Sequence, residues 1–146
     1  MIYTDLTQKA MVLCYEAHKG QYDKSGVPYV FHPFHVAEQL EDEYDICVAL
    51  MHDIVEDTQY TIEDIAAEGF PKEIVEAVSV LTKKDKEDYQ EYIKRVSTND
   101  RSVRIKLKDL EHNSDLSRLP GTTDEDMKRL DKYKKAKEYL LSLKNS

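Results

Sequence analysis

The sequence predicts an all-α fold, and three observations lead to that prediction. Apolar residues recur at helical spacing along most of the 146 residues. The alternation that is typical of half-buried strands is nearly absent. The chain contains only four Gly and four Pro, and these separate the periodic segments. With no repeat or linker visible, we expect a single domain over residues 1–146 with about seven to eight helices.

Start and stop signals place the helices in order along the chain. Thr4 and Thr61 have hydroxyl groups that cap helix N-termini, and Thr61-Ile62-Glu63-Asp64 resembles a capping box. Pro33 and Pro71 suit the first turn of a helix. Thr123 or Asp124 can cap the last helix. The expected helices cover about residues 4–22, 33–40, 44–56, 61–68, 71–81, 86–96, 101–116 and 123–143.

Composition excludes several classes of function. A formal net charge of -8 argues against a nucleic-acid-binding protein, although a bound divalent cation would still allow a small polyanionic substrate. No apolar run approaches the roughly 20 residues of a membrane span, and the N-terminus has no signal-peptide pattern. Cys14 and Cys47 lie within apolar helical patterns and are expected to be buried free thiols. We therefore expect a cytoplasmic protein without a membrane or nucleic-acid partner, and the oligomeric state stays open.

In the segment of residues 49–58, four ionisable residues interrupt a helix that otherwise looks core-facing: His52, Asp53, Glu56 and Asp57. Burying such groups without partners is costly. Neighbouring residues on a helix are rotated by about 100°, so His52 and Asp53 could approach one metal ion from two sides. Glu56 and Asp57 would follow one turn later, close to a water on that metal. The alternative is a solvated acidic helix end with a hydrogen-bonded core histidine.

Two further segments favour a metal site. His32 precedes Pro33 among apolar neighbours, and Asp109 lies on a later predicted helix together with His112 and Asn113. Two histidines and two aspartates make a mixed nitrogen and oxygen donor set, which suits Mn, Fe or Zn better than Ca or Mg. If coordination positions stay open for water and a phosphoryl oxygen, such a site is catalytic.

The order H…HD…D resembles the HD superfamily of metal-dependent phosphohydrolases. Within that superfamily, the chain is most similar to the hydrolase domain of RelA/SpoT-type proteins and to stand-alone small alarmone hydrolases. The similarity extends from about Ala17 to Asn113. The matching segments are HKGQ, KSGVPYVFHPFHVA, ALMHDIVEDT, TIEDI, VLTK and KLKDLEHN.

The resemblance implies a role for each matching residue. The implied metal ligands, usually of Mn²⁺, are His32, His52, Asp53 and Asp109. Glu56 and Asp57 match an acidic pair that positions or activates the attacking water, and Lys24 and Asn113 match nucleotide contacts. Lys83 and Lys106 are further candidates for phosphate contacts, unless they are solvated helix lysines. The implied reaction removes the 3′-pyrophosphate of (p)ppGpp to give GDP or GTP and pyrophosphate. The chain is too short for a synthetase domain, so we expect degradation only.

The first loop departs from the family pattern. The family often has Arg-Lys where this chain has Asp23-Lys24, and a guanidinium can stack on a base whereas a carboxylate cannot. The residues around Asp109 and after Asn113 also differ from the longer proteins. Two alternatives therefore stay open: a phosphatase for another nucleotide, such as an adenine alarmone or NADPH, and a metal-bound regulatory module without turnover.

For the remaining polar residues near these motifs, structural roles are the expectation. We expect His18 to make a structural hydrogen bond and His35 to pack or face outward. His112 has two open interpretations, a structural one and one in which it orients a neighbour. Arg118, Arg129 and Tyr133 could reach the site, but surface ion pairs or helix packing are the expectation for them.

Overall fold

The computed structural model describes residues 1–144. Within that range the chain forms nine α-helices and one 3-10 turn, and its only extended pairing is an isolated bridge between Tyr22 and Pro28. The all-α prediction is confirmed; the predicted domain span of 1–146 includes residues 145 and 146, which lie outside the described range. The elements are α1 (Asp5–His18), α2 (Phe31–Glu38), α3 (Glu43–Met51), α4 (Ile54–Asp57), α5 (Ile62–Ala67), α6 (Lys72–Leu81), α7 (Tyr89–Val96), α8 (Asp100–Asn113), the 3-10 turn (Leu116–Arg118) and α9 (Asp124–Lys144).

The central helix is α3, which packs against α1, α2, α6 and α8. Every residue from 46 to 51 is fully buried. An all-round apolar helix of this kind belongs in the middle of a core, where each large side chain contributes roughly 1.5–3 kcal/mol through burial. By contrast, only Asp126, Ala136 and Leu140 are buried along the 21 residues of α9. The end of α3 therefore lies deep in the protein, and α9 lies on its outside.

Side-chain caps fix several helix starts. Thr4 and Thr61 accept hydrogen bonds from the amides of Thr7 and Asp64, as the sequence predicts. Thr123 Oγ1 accepts from the amide of Asp126 at 3.1 Å, so Thr123 rather than Asp124 caps the last helix. Each such cap stabilises its helix by about 1 kcal/mol.

The predicted helix over residues 44–56 is wrong in one respect, because it is interrupted at the motif itself. The helix α3 ends at Met51, His52 and Asp53 form a turn, and α4 begins at Ile54. The His52 imidazole provides the reason. Its Nδ1 lies 2.5 Å from the carbonyl oxygen of Ala49, which an unbroken helix would use for the amide of Asp53. The backbone hydrogen-bond pattern of the helix is therefore interrupted at these two residues, although both keep dihedral angles in the right-handed helical region.

Other helix ends also differ from the prediction. The first helix stops at His18 instead of Tyr22, and Gly20 adopts a left-handed φ of 85° just after it. The second begins at Phe31, so that Pro33 is its third residue. The carboxylate of Asp88 caps α7, which therefore begins three residues later than predicted. The helix α8 ends at Asn113, before the predicted end at residue 116, and the 3-10 turn follows.

Two composition-based expectations can be compared with the fold. Cys14 and Cys47 are buried free thiols, and burial raises the pKa of the Cys47 thiol to about 12. None of the described helices has both the length and the apolar character that crossing a bilayer requires.

Candidate metal centre and adjoining pocket

Four buried side chains meet where α2, the turn after α3 and α8 come together: His32, His52, Asp53 and Asp109. Each offers one potential ligand atom, and these atoms all lie within 4.8 Å of one another. His32 Nε2 lies 2.8 Å from Asp109 Oδ1, and His52 Nε2 lies 3.0 Å from Asp53 Oδ2. The structure thus brings together the four residues that the sequence motif selects.

Both imidazoles present the same nitrogen to this cluster. Nδ1 of His52 is held by the Ala49 carbonyl oxygen at 2.5 Å, and Nδ1 of His32 lies 2.7 Å from Nδ1 of His112. Each Nε2 is therefore directed at the carboxylates. A partner on the remote nitrogen is the usual arrangement of a metal-binding histidine. Two imidazole nitrogens and two carboxylates in this geometry fit a divalent transition metal.

The electrostatics of the cluster attract positive charge. Burial lowers the pKa of His52, but the carboxylates of Asp53 and Asp109 outweigh it and raise that pKa well above its usual value. Burial raises the pKa of Asp109, but Lys106 and the two histidines hold it well below its usual range. The carboxylates are therefore ionised, and the same field favours a bound cation.

Three further side chains contact the carboxylates of the cluster. Lys106 Nζ lies 2.9 Å from Asp109 Oδ2, and Asn113 Nδ2 donates to Asp109 Oδ1 at 3.1 Å. Two residues proposed as substrate contacts thus bind a candidate metal ligand, and the Lys106 side chain is only 12% exposed. The hydroxyl of Tyr29 donates to Asp53 Oδ2 at 2.6 Å. Tyr29 was not predicted as a site residue, although its position three residues before His32 was an available signal.

The acidic pair lies beside this cluster on α4. Burial and the charge of Asp53 raise the pKa of Glu56 to about 7, and the same causes raise the pKa of Asp57 to about 6. The backbone amide of Lys83 donates to Glu56 Oε1 at 2.5 Å. Glu56 and Asp57 both keep an exposed surface, so they can meet water. The Lys83 ammonium contacts the carbonyl oxygen of Lys84, at 3.5 Å.

A cavity of about 360 Å³ adjoins the cluster and is lined by His32, a member of the cluster, and by Tyr29, which contacts it. That volume lies within the range of small-molecule sites. Its other lining residues come from the loop after α1, from the end of α8 and the segment after it, and from α9. They are Tyr22, Asp23, Lys24, Ser25, Asn113, Asp115, Leu116, Arg118, Leu119, Asp126, Arg129, Leu130 and Tyr133.

The cations of this pocket each have an acidic partner. Lys24 Nζ lies 3.4 Å from Asp126 Oδ1, and Arg129 binds the same oxygen. Arg118 lies 3.5 Å from Asp23 Oδ2. Lys24 is therefore on the pocket wall, where a nucleotide contact was expected. Arg118 and Arg129 form the ion pairs that were expected of them, but the structure also places them in the pocket lining, together with Tyr133.

The three other histidines have distinct surroundings. Nδ1 of His18 lies 2.8 Å from Gln21 Oε1, which is the structural hydrogen bond that was expected. The His35 ring stacks on that of His112 at 4.0 Å between centroids. Burial and the positive charge around it lower the pKa of His112 to about 4, so this imidazole is neutral at physiological pH. Of the two interpretations left open for His112, its contact with His32 Nδ1 favours the one in which it orients a neighbour.

Comparison with known protein families identifies the family to which this chain belongs. The family model of the HD domain matches residues 10–110. The chain belongs to the HD domain family. Membership implies a divalent metal ion, and the cluster around His52 and Asp53 is a place in this HD domain that could hold one.

Relatives of this HD domain include long alarmone enzymes. It is 36% identical over 113 residues to a guanosine-3′,5′-bis(diphosphate) 3′-pyrophosphohydrolase of Haemophilus influenzae, covering 67% of this chain and 16% of that protein. It is 33% identical over 121 residues to the bifunctional (p)ppGpp synthase/hydrolase SpoT of Escherichia coli, covering 73% of this chain and 17% of that protein. The chain thus spans less than a fifth of the length of these curated relatives.

A solved structure is similar along nearly the whole chain. It is described as a metazoan ortholog of SpoT that hydrolyzes ppGpp and plays a role in starvation responses. The TM-score is 0.79 at 25% identity, with 97% of this chain and 88% of that chain covered. Together, the family match and these relatives confirm the predicted resemblance to HD-type and SpoT-like hydrolases.

Proposed function

We propose that this HD domain is a metal-dependent nucleotide phosphohydrolase that removes the 3′-pyrophosphate from (p)ppGpp. One observation supports this most strongly: the buried cluster of two histidines and two aspartates opens into a pocket of nucleotide size beside an acidic pair. The activities for which these relatives are named support the same substrate. The products would be GDP or GTP and pyrophosphate.

His32, His52, Asp53 and Asp109 would hold the metal, and Mn²⁺ is our proposed ion, with Fe or Zn as alternatives. When bound, such an ion polarises a phosphoryl oxygen and makes water easier to ionise. Tyr29 and Lys106 would hold the aspartates in place through their hydrogen bonds to Asp53 and Asp109. Lys106 would then act on the substrate through Asp109, whereas Asn113 contacts Asp109 and also lines the pocket.

Glu56 and Asp57 would handle the proton of the attacking water. A carboxylate whose pKa is near 7 can accept a proton at neutral pH and return it easily. The Lys83 amide fixes one Glu56 oxygen, so the other oxygen is available to the water. The water oxygen would bond to the phosphorus that is attached to the 3′-oxygen of the ribose. The bond between that phosphorus and the 3′-oxygen would break, and the 3′-oxygen would take up a proton.

The pocket residues would bind the rest of the nucleotide. Lys24, Arg118 and Arg129 supply positive charge for its 5′-phosphates, and Tyr133 supplies an aromatic surface for its base. The paired acids Asp23 and Asp126 balance these cations in the absence of substrate. A bound anion would therefore interact with these cations while Asp23 and Asp126 stay close to them.

The direct test is to incubate the purified protein with ppGpp and Mn²⁺ and to measure GDP and pyrophosphate. We expect turnover in the wild type, none in Glu56→Gln, and full turnover in Glu63→Gln, an exposed glutamate on α5 that serves as control. Metal binding should survive in Glu56→Gln. Absence of pyrophosphate at high enzyme concentration would refute the alarmone assignment.

A second candidate is a phosphatase for a different nucleotide, and Asp23 favours it. Its carboxylate engages Arg118 and the amides of Ser25 and Val27, so residue 23 offers no flat cation to a guanine. A panel of guanine and adenine nucleotides, including NADPH, separates the two candidates. Preference for guanine would exclude the second candidate.

If wild type and Glu56→Gln were equally inert on the whole panel, a regulatory module without turnover would gain support. The cytoplasmic location stays a prediction.

A further inference from the structure

The two ring nitrogens of His32 face different partners. Nε2 lies 2.8 Å from Asp109 Oδ1, within the cluster of potential metal ligands. Nδ1 lies 2.7 Å from Nδ1 of His112. Two imidazole nitrogens at this distance share one proton, because one of them must donate and the other must accept. The position of that proton decides what His32 can bind.

Only one of the two proton positions lets His32 bind a cation. A neutral imidazole carries a single proton, and a ligand nitrogen must have its lone pair free. If Nδ1 of His32 carries the proton, Nε2 is free to bind a metal. If Nδ1 of His112 carries it instead, a neutral His32 is protonated on Nε2 and cannot be a ligand.

We propose that His112 is a positioning residue of the metal centre, whose Nδ1 accepts the proton of His32 Nδ1 and so holds His32 in its metal-binding tautomer. This inference rests on the proposed metal site. In the same centre, a backbone carbonyl does the corresponding work for His52. A carbonyl can only accept, whereas an imidazole can donate or accept. His112 can do this work only while its ring keeps Nδ1 directed at His32, so the orientation of the ring must be held by its surroundings.

The surroundings of His112 provide such constraints. Its ring is nearly parallel to that of His32, with an angle of 8° between the planes, and the His35 ring stacks at 4.0 Å. The Arg118 guanidinium donates to the His112 carbonyl oxygen at 2.8 Å. His112 is thus held through both its side chain and its backbone. Arg118 also lines the pocket, so this contact connects the pocket wall with the metal centre.

The test measures Mn²⁺ affinity by calorimetry without substrate. Replacing the acceptor by a ring of similar size, in His112→Phe, should weaken binding by about 10–100-fold, as for other partners of metal-binding histidines. In His112→Asn, Oδ1 can take the place of Nδ1, so affinity should return to within a few-fold of wild type. His35→Ala removes one of the rings that hold His112 but leaves the acceptor nitrogen in place, so its Mn²⁺ affinity should fall by less than that of His112→Phe.

Equal affinity of wild type and His112→Phe would overturn the proposal, and so would an equally large loss in a folded His112→Asn. Nitrogen NMR of the wild type loaded with Zn²⁺ gives a second readout that needs no variant. We expect a proton bonded to His32 Nδ1 and a coupling across the hydrogen bond to His112 Nδ1; a proton bonded to His112 Nδ1 would refute the assignment. Wild type that binds no metal would instead refute the proposed function.

Discussion

Lys106 offers a sharp test of how the metal centre is built, through the substitution Lys106→Met. Its ammonium lies 2.9 Å from Asp109 Oδ2, and 5.2 Å from the centre of the Tyr92 ring. The side chain is 12% exposed, and that of Asp109 is 5% exposed. Methionine has a similar length and keeps the packing, but it removes the positive charge. In the metal-free protein, Asp109 would then rely on the two histidines and on the amide of Asn113.

The magnitude follows from the geometry. Two unit charges 2.9 Å apart attract each other by about 6 kcal/mol at an effective dielectric constant near 20, before the cost of desolvating them is subtracted. Breaking a buried pair by removing one partner typically costs about 3–5 kcal/mol. Because His32 and His52 still contact Asp109, we expect the lower value, about 3 kcal/mol. For a chain of this size that corresponds to a melting temperature lower by roughly 6–12 °C.

Metal binding should reverse part of this loss. A bound divalent cation neutralises the charge of Asp109 without help from Lys106. In the variant, the cation is also free of the repulsion that the Lys106 ammonium exerts on it in the wild type. We expect a cost of only about 1 kcal/mol in the metal-bound protein. The difference of about 2 kcal/mol must appear as tighter metal binding, by roughly 30-fold. The variant is therefore less stable than wild type and yet binds metal more strongly.

The assay is urea unfolding of wild type and variant, each with Mn²⁺ and with a chelator, together with calorimetric Mn²⁺ titration. Lys94→Met is the matched control, since Lys94 is paired with Glu91 at the same spacing, but both side chains are more than half exposed. It should change stability by less than about 1 kcal/mol. A metal-free Lys106→Met as stable as wild type, or one with weaker metal binding, would refute the reasoning. Unchanged metal affinity with a higher KM would support the phosphate contact suggested by the sequence.

Three other predictions concern the proton acceptor, the support of the metal ligands and the pocket. The value of kcat/KM should fall as pH decreases through about 7, because Glu56 becomes protonated. A nearby cation would lower the pKa of Glu56 and could move this fall only to lower pH. A fall that begins above pH 8 would therefore contradict the prediction. Tyr29→Phe loses the hydrogen bond to Asp53, and Mn²⁺ titration should show about 10-fold weaker binding; unchanged affinity would exclude this support. Lys24→Ala should raise KM for ppGpp about 10-fold, close to the contribution of one charge-assisted hydrogen bond, with kcat and Mn²⁺ affinity retained; an unchanged KM would remove Lys24 from the substrate site.

The sequence predicted those parts of the fold that depend on local chemistry. Thr4 and Thr61 cap the helices that they were expected to cap, because a hydroxyl and an amide three residues later need no distant partner. The break after Met51 was missed, because it depends on the His52 side chain turning back to the carbonyl of Ala49. Helical periodicity contains no information about that competition between side chain and backbone.

In the candidate site, too, some features could be predicted from the sequence and others depend on the tertiary fold. The metal-ligand motif is visible as a sequence pattern, and the structure brings its four members together. The pocket is not visible in this way, because its wall joins Lys24 to Asp126 and Ser25 to Arg118, residues 102 and 93 positions apart. The same applies to the contact between His32 and His112 across 80 positions. Only the tertiary fold decides which of several plausible polar residues meet.

The sparse burial of α9 has a consequence for how the protein opens. Elements with few buried residues unfold locally at lower free energy than the centre of a core, so the amides of α9 should exchange with solvent sooner than those of α3. Detachment of α9 would remove Arg129 and Tyr133 from the pocket, whereas His52 and Asp53 belong to the buried centre. Under the proposed function, a transient excursion of the last helix would release a bound nucleotide and leave the metal centre in place.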